Sequence, residues 1–106
     1  MLNQIEISQA GGVRPAMYPG LAAHHKKVQE LKRGFGEAVR SVRRNLKMSQ
    51  ADCALLAKLH RTYITDIERG ARNISLESIC KIATALGVSV SSLLTTAEQT
   101  KGNQIL

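Results

Sequence analysis

Residues Ser49 to Gly70, SQADCALLAKLHRTYITDIERG, decide the fold of this chain. They predict two short helices joined by a tight turn. Ser49 is a favourable helix N-cap, and Asp52 three residues later completes a capping-box-like pair that satisfies orphan amide donors. Cys53, Ala54 and Ala57 then set small apolar groups on one face at helical spacing. Leu59 falls in the turn, and Ile64 and Ile67 form the inward stripe of the second helix. Gly70 stands where a helix ends in the left-handed conformation. Small residues where two helices cross, with polar ones facing outward at the start of the second, suit a rod pressed into the DNA major groove.

Outward from this motif the pattern stays helical. Toward the N-terminus, a helix from about Phe35 to Leu46 places Phe35, Val39, Val42 and Leu46 inward. Val28, Leu31 and Phe35 continue the spacing upstream, but Gly34 and Gly36 interrupt it, which predicts a break or kink between a separate N-terminal helix and the domain's first helix. Residues 1–20 carry Gly11-Gly12, Pro15 and Pro19-Gly20 without periodicity and read as a flexible leader. Toward the C-terminus, a connector from Arg69 to Ser75 leads to a helix from about Leu76 to Leu86, with the stripe Leu76, Ile79, Cys80, Ala83 and Leu86 and a closing Gly87. Ser89 caps a short further helix containing Leu93 and Leu94, and the polar tail from Thr95 is expected to fray, with Ile105-Leu106 available to dock on a partner. No alternating strand pattern and no internal repeat occurs. The expected fold is all-α, with five helices or six. Its divisions are an N-terminal extension at 1–33, a DNA-binding domain with C-terminal dimerisation helices at 34–95, and a polar tail at 96–106.

Composition narrows the partner. The 106 residues suffice for one domain with a modest core. With 43% apolar but only 3% aromatic residues, that core must be packed from Leu, Ile, Val and Ala. The formal net charge of +7 is the electrostatic footprint of a polyanion binder. No stretch approaches the ~20 apolar residues that span a bilayer, and the N-terminus lacks the pattern of a secretory signal. A cytoplasmic protein is therefore expected, with Cys53 and Cys80 as reduced residues on buried helix faces.

The segment resembles the phage-repressor type of helix-turn-helix, the Cro and lambda/434 repressor family, over about Phe35 to Leu94. Ser49-Gln50, Ala54, Leu59, Ile64 and Ile67-Glu68-Arg69-Gly70 carry the resemblance, and Leu76, Ile79, Ile82-Ala83 and Ala85-Leu86-Gly87-Val88 extend it. RTYITDIERGARN, Arg61 to Asn73, is similar to the controller proteins of bacterial restriction-modification systems. The resemblance implies a five-helix lambda-repressor-like domain in the bacterial cytoplasm that regulates transcription on palindromic operator DNA as a homodimer. RNA polymerase is a further partner it allows. Two positions depart from the family pattern. Lys58 replaces the usual turn glycine, where left-handed geometry costs a side-chain-bearing residue roughly 1–2 kcal/mol. His60 replaces the usual Ser or Thr cap of the second helix.

Arg61, Thr62, Thr65 and Asp66 fall at the start and outer face of that second helix. Arg61 can fork onto the O6 and N7 of guanine, and a threonine methyl suits the thymine methyl. Asp66 either accepts from a cytosine amine or, the favoured reading, orients Arg61. Tyr63 matches the controller pattern, and serves either a deformable DNA step or as an anchor for the next helix. Gln50 starts the first motif helix, where family members address a phosphate, and Arg72 and Asn73 are similarly placed after the second. Arg43, Arg44 and Lys47 form either a basic rim or a solvated face. By resemblance, Glu68 holds an arginine of the first helix, Arg40 or Arg43. Leu86, Val88, Val90, Leu93 and Leu94 are the expected dimer surface.

Other constellations are weaker. His24, His25, His60, Cys53 and Cys80 match no metal spacing, so no metal and no cofactor is expected. No paired carboxylates, nucleophile elbow or phosphate loop marks an enzyme. His24 to Lys27 with Lys32 and Arg33 read as a minor-groove arm or, preferentially, as the solvated face of an N-terminal helix. The alternative function is an antitoxin or bridging module whose helix-turn-helix docks protein.

Overall fold

The computed structural model describes residues 17–105, with side chains described for 22–100. Five helices follow in order: α1 (Met17–Asn45), α2 (Gln50–Ala57), α3 (Arg61–Glu68), α4 (Leu76–Leu86) and α5 (Val90–Ile105). No strand occurs among the described residues, and the all-α expectation holds. No single helix among them is long and apolar enough to cross a membrane.

The ends of the middle helices follow from local chemistry. Ser49 caps α2 by accepting from the Asp52 amide, and the Asp52 side chain accepts from the Ser49 amide. Hydrogen bonding to Ser49, its backbone amide first, holds the exposed Asp52 carboxyl below its ordinary value. Ser75 caps α4 through the Ser78 amide, and the Ser89 hydroxyl accepts from the Ser92 amide at the start of α5. His60 makes no side-chain cap bond, so α3 begins without the help its neighbours have. The C-termini of α1 to α4 share one device, a residue past the helix followed by an amide reaching back five positions. Those amides are Met48 to Arg43, Leu59 to Ala54, Ala71 to Asp66 and Val88 to Ala83. Gly70 and Gly87 supply the left-handed residue in two cases, but Lys47 at φ 59 and Lys58 at φ 58 supply it in the others. Lys58 thus carries the strain its sequence position implies.

The core sits where all five helices meet. Val39 of α1, Cys53 of α2, Ile64 and Ile67 of α3, Ile82 of α4 and Leu93 of α5 are fully enclosed. Truncating a large one of these to Ala typically costs about 2–5 kcal/mol.

Three expectations about helices are corrected. No break separates an N-terminal helix from the domain, since α1 runs unbroken through Gly34 and Gly36. These glycines serve close approach. A Cβ on Gly34 would lie 2.2 Å from the Ala97 carbonyl oxygen of α5, and one on Gly36 2.4 Å from the Ile67 carbonyl oxygen of α3. The last helix is also longer than expected, because Ala97, buried against α1, gives it a packing face beyond Leu94. Finally, Leu46, Leu76 and Cys80 are exposed. Leu46 lies past the end of α1, where helical spacing no longer applies, and Leu76 opens α4 beyond the core. Cys80 falls off the stripe formed by Ser78, Ile79, Ile82, Ala83 and Leu86. Both cysteines are free, and burial raises the Cys53 thiol's pKa.

Candidate nucleic-acid interface

Beside the apolar contacts that pack the two motif helices, a buried carboxylate joins them. Glu68, the last residue of α3, has a side chain with 0% exposure. Arg43 of α1 grips it with both arms of the guanidinium, Nε to Oε2 at 2.7 Å and Nη2 to Oε1 at 3.0 Å. The remaining Arg43 donor, Nη1, reaches the Met48 carbonyl at 2.8 Å, in the loop before α2. Gln50 Nε2 donates to Glu68 Oε1 at 3.0 Å, and Arg40 Nε approaches the same oxygen at 3.4 Å. Burial alone would raise the Glu68 carboxyl's pKa. Hydrogen bonds from Arg43 and Gln50, with the Arg43 charge, instead hold it below the ordinary carboxylate value. Both candidate arginines therefore engage Glu68, with Arg43 as the principal partner. That corrects the placement of Arg43 on a basic rim or solvated face: four residues after Val39, it falls on the inward stripe of α1. Arg44 and Lys47 are exposed.

Gln50 is fixed at both ends of its amide. While Nε2 is on Glu68, Oε1 accepts from the Thr65 hydroxyl at 2.9 Å. Thr65 Oγ1 also lies 3.1 Å from the Arg61 carbonyl, so its single proton serves one or the other. One chain of hydrogen bonds thus runs from Arg43 through Glu68 and Gln50 to Thr65 on the outer side of α3. It ties α2 to both the outer side and the C-terminus of α3.

Arg61 and Thr62 are exposed at the first two positions of α3, with Thr65 and Asp66 half-buried behind them. Asp66 does not orient Arg61. Its Oδ1 accepts from Arg69 at 3.1 Å and its Oδ2 from Arg72 at 3.3 Å. The reason is helical phase, since Asp66 is five residues from Arg61 but only three from Arg69. Arg72 is further placed by Tyr63, whose ring centroid lies 5.0 Å from the guanidinium carbon. The Tyr63 hydroxyl donates to Ser78 Oγ of α4 at 3.2 Å, and Ser75 Oγ donates to the same atom at 3.1 Å. Tyr63 accordingly anchors α3 to α4 and supports Arg72 on the connector. Asn73 is exposed beside it.

The set expected at a dimer surface divides in two. Leu86 and Leu93, with 4% and 0% exposure, pack inside the chain's own core and offer nothing to a second copy. Each lies on the inward stripe of its helix, which the run of apolar residues concealed. Val88, Val90 and Leu94 are half-buried at the core's edge.

Nothing among the described residues gathers three or more metal-ligating side chains. A hollow of about 220 Å³ between α1, the connector, α4 and α5 is lined by Val28, Leu31, Phe35, Ile74, Ile79 and Leu94, with Lys32 and Asn73 as its polar groups. Ser78 carries no role in the sequence reading, and Arg69 enters it only as part of the family pattern. Ser78 was legible as a hydroxyl on an otherwise apolar stripe; Arg69 was legible as the i+3 partner of Asp66.

Residues 39–93 match the helix-turn-helix family model. The chain is 54% identical over 61 residues to control protein C.BamHI of Bacillus amyloliquefaciens, covering 57% of this chain and 75% of that one. It belongs to the helix-turn-helix family. Among solved helix-turn-helix structures it is similar to the restriction-modification controller protein C.AhdI from Aeromonas hydrophila. That match has a TM-score of 0.58 and 40% identity, over 58% of this chain and 94% of that one. It is also similar to the restriction-modification controller protein C.Esp1396I, solved as a tetramer in complex with its natural 35 base-pair operator. There the TM-score is 0.62 and the identity 30%, over 67% of this chain and 93% of that one.

Proposed function

We propose that this helix-turn-helix protein is a sequence-specific transcriptional regulator that binds palindromic operator DNA as a symmetric homodimer, and that it controls a restriction-modification system. The observation that carries this reading is the outer face of α3. Arg61 and Thr62 stand exposed on a helix whose opposite side is locked to α1 and α2 through Glu68 and Gln50. A reading helix must hold its side chains within a fraction of an ångström of base edges, and a buried, fully bonded polar network gives that rigidity.

Within this reading Arg61 forks onto a guanine and Thr62 contacts a neighbouring base. Thr65, its hydroxyl engaged inside the protein, offers its methyl. Gln50, Arg72 and Asn73 address phosphates on either side, with Tyr63 holding Arg72 in place. Asp66 sets the two connector arginines and touches no base. A single short helix reads only a few base pairs, so two copies about one helical turn apart (~34 Å) supply useful specificity. Val88, Val90 and Leu94 are the apolar groups a second copy would cover. The chemistry is that of a binding surface, with no reaction to catalyse.

The test is selection of a preferred duplex from a random pool, followed by affinity measurements on single-base variants of that duplex. Arg61→Ala should lose ~1–3 kcal/mol and relax preference at one position of each half-site, while Arg72→Ala should weaken all sequences alike. Equal losses on selected and random duplexes for both variants would overturn these roles. Failure to enrich any duplex would favour a protein-docking module.

A further inference from the structure

We propose that the N-terminal half of α1 is a second DNA-contacting element, in which Lys26 and Arg33 bind backbone phosphates flanking the base pairs that α3 reads. This rests on the DNA-binding reading above and extends it beyond the residues 39–93 that match the family.

The position of Arg33 carries the inference. A Cβ built on Gly70, the residue after α3 and its cap, would lie 2.9 Å from Arg33 Cγ and 3.1 Å from Arg33 Cα. Arg33 therefore lies against the turn from which Arg69 and Arg72 emerge, and its own side chain is exposed. Lys26, Arg33 and Arg40 recur every seven residues and so share one stripe of α1, with about 10.5 Å between successive members. Arg40 ends that stripe at Glu68. Arg33 and Lys26 continue it past the connector and away from the domain. His24 and Lys27 lie off this stripe by helical phase.

Charge then identifies the occupant. Lys26 and Arg33 enter no ion pair among the described residues, whereas the nearby Asp66 is shared between Arg69 and Arg72. The carboxylates on this stretch of α1 are Glu30 and Glu37, which leave the stripe itself basic. Three cations, Arg33, Arg69 and Arg72, thus border the end of the reading helix, and Lys26 stands about 10.5 Å further along α1. Long cationic side chains spaced along a rigid rod fit a phosphate backbone, which attracts point charges and carries no sequence information. Because α1 is continuous through Gly34 and Gly36, the two charges are held at a fixed distance from α3.

The experiment compares the full chain with the Lys26→Ala/Arg33→Ala variant on two forms of the selected duplex. One is trimmed to the half-sites and one carries about a helical turn of added duplex at each end. On the long duplex the variant should bind roughly tenfold more weakly at physiological salt. The slope of log affinity against log salt should fall by ~2 for each protomer, near 0.9 per lost phosphate contact. On the trimmed duplex the two proteins should bind alike, and Lys26→Arg/Arg33→Lys should retain the wild-type slope on the long one. An unchanged slope for the alanine variant, while Arg61→Ala still loses base preference, overturns this inference and leaves the reading face standing. Absence of salt-dependent duplex binding by the wild-type chain overturns both.

Discussion

Both sides of α1 meet a neighbouring helix through a glycine, but only the α3 side adds a buried ion pair. On the α2–α3 side, the crossing is fixed by Gly36 against the Ile67 backbone and by charge, with Arg43 and Gln50 converging on the enclosed Glu68 carboxylate. On the α5 side it is fixed by the absence of a side chain, with Gly34 laid directly on the Ala97 backbone. The two junctions serve different ends. Backbone-on-backbone contact stabilises by close packing and tolerates little change in volume. A buried bidentate pair adds little net stability over an apolar pair, but it specifies one orientation. Orientation is what a pair of reading helices requires.

The largest expected effect breaks the polar junction. Glu68→Ala leaves Arg43 buried without its anion, which typically costs about 3–5 kcal/mol. Urea unfolding should show that loss, and a cost below ~1 kcal/mol would mean the network is incidental. The same junction should respond to acid. The folded Glu68 value is depressed, so its stabilisation is fully present above the unfolded value of about 4.3 and is lost as pH falls through the lower folded value. Urea midpoints measured down through that range should fall for the wild type and fall less for Glu68→Gln.

The packed junction should break with a somewhat smaller loss. Gly34→Ala must push the Ala97 backbone aside, and overpacking of this kind costs typically about 1–3 kcal/mol. Because Gly34 faces α5, the variant should keep its DNA preference after correction for the folded fraction. Loss of preference at full folding would show that the two junctions are not separable.

A gain of stability sharpens the comparison further. Lys58→Gly relieves roughly 1–2 kcal/mol of left-handed strain at the α2–α3 turn while restoring about 0.4–1 kcal/mol of unfolded-chain freedom. The net expectation is a rise of order 0.5–1 kcal/mol in thermal or urea unfolding. A decrease would show that Lys58 makes a contribution beyond the turn. The smallest effect is chemical. Cys80 should react with a thiol reagent in the native protein and Cys53 only on unfolding, since Cys53 is enclosed and its thiol pKa is raised. Rapid native labelling of both would place the α2 face of the core in exchange with solvent.

Caps and local periodicity made α2, α3 and α4 legible in the sequence, because Ser49, Gly70 and Gly87 act within a turn of where they stand. The course of α1 was not legible. Gly34 and Gly36 read as breakers by intrinsic propensity, and only the crossing helices show that they are sites of backbone contact. The length of α5 was hidden for a related reason: its polar run after Leu94 carries one small buried residue, Ala97, and that suffices against a glycine. In the site, Arg61, Thr62 and Asn73 stand exposed at the positions read for them, and Gln50 and Thr65 stand beside them. The partner of Asp66 is set by helical phase, which delivers Arg69, and not by adjacency on the reading face, which suggests Arg61. Leu86 and Leu93 show why a dimer surface is hard to read from sequence, since an apolar residue on either of the last two helices serves the core as readily as a partner.

The most direct measurement of the central claim is the binding stoichiometry and preference of the full chain on its selected duplex, read by fluorescence anisotropy at physiological salt. Two protomers per palindrome and a preference over random duplex of at least ~10³ are expected. One protomer per palindrome, or equal affinity for random duplex, would contradict that claim.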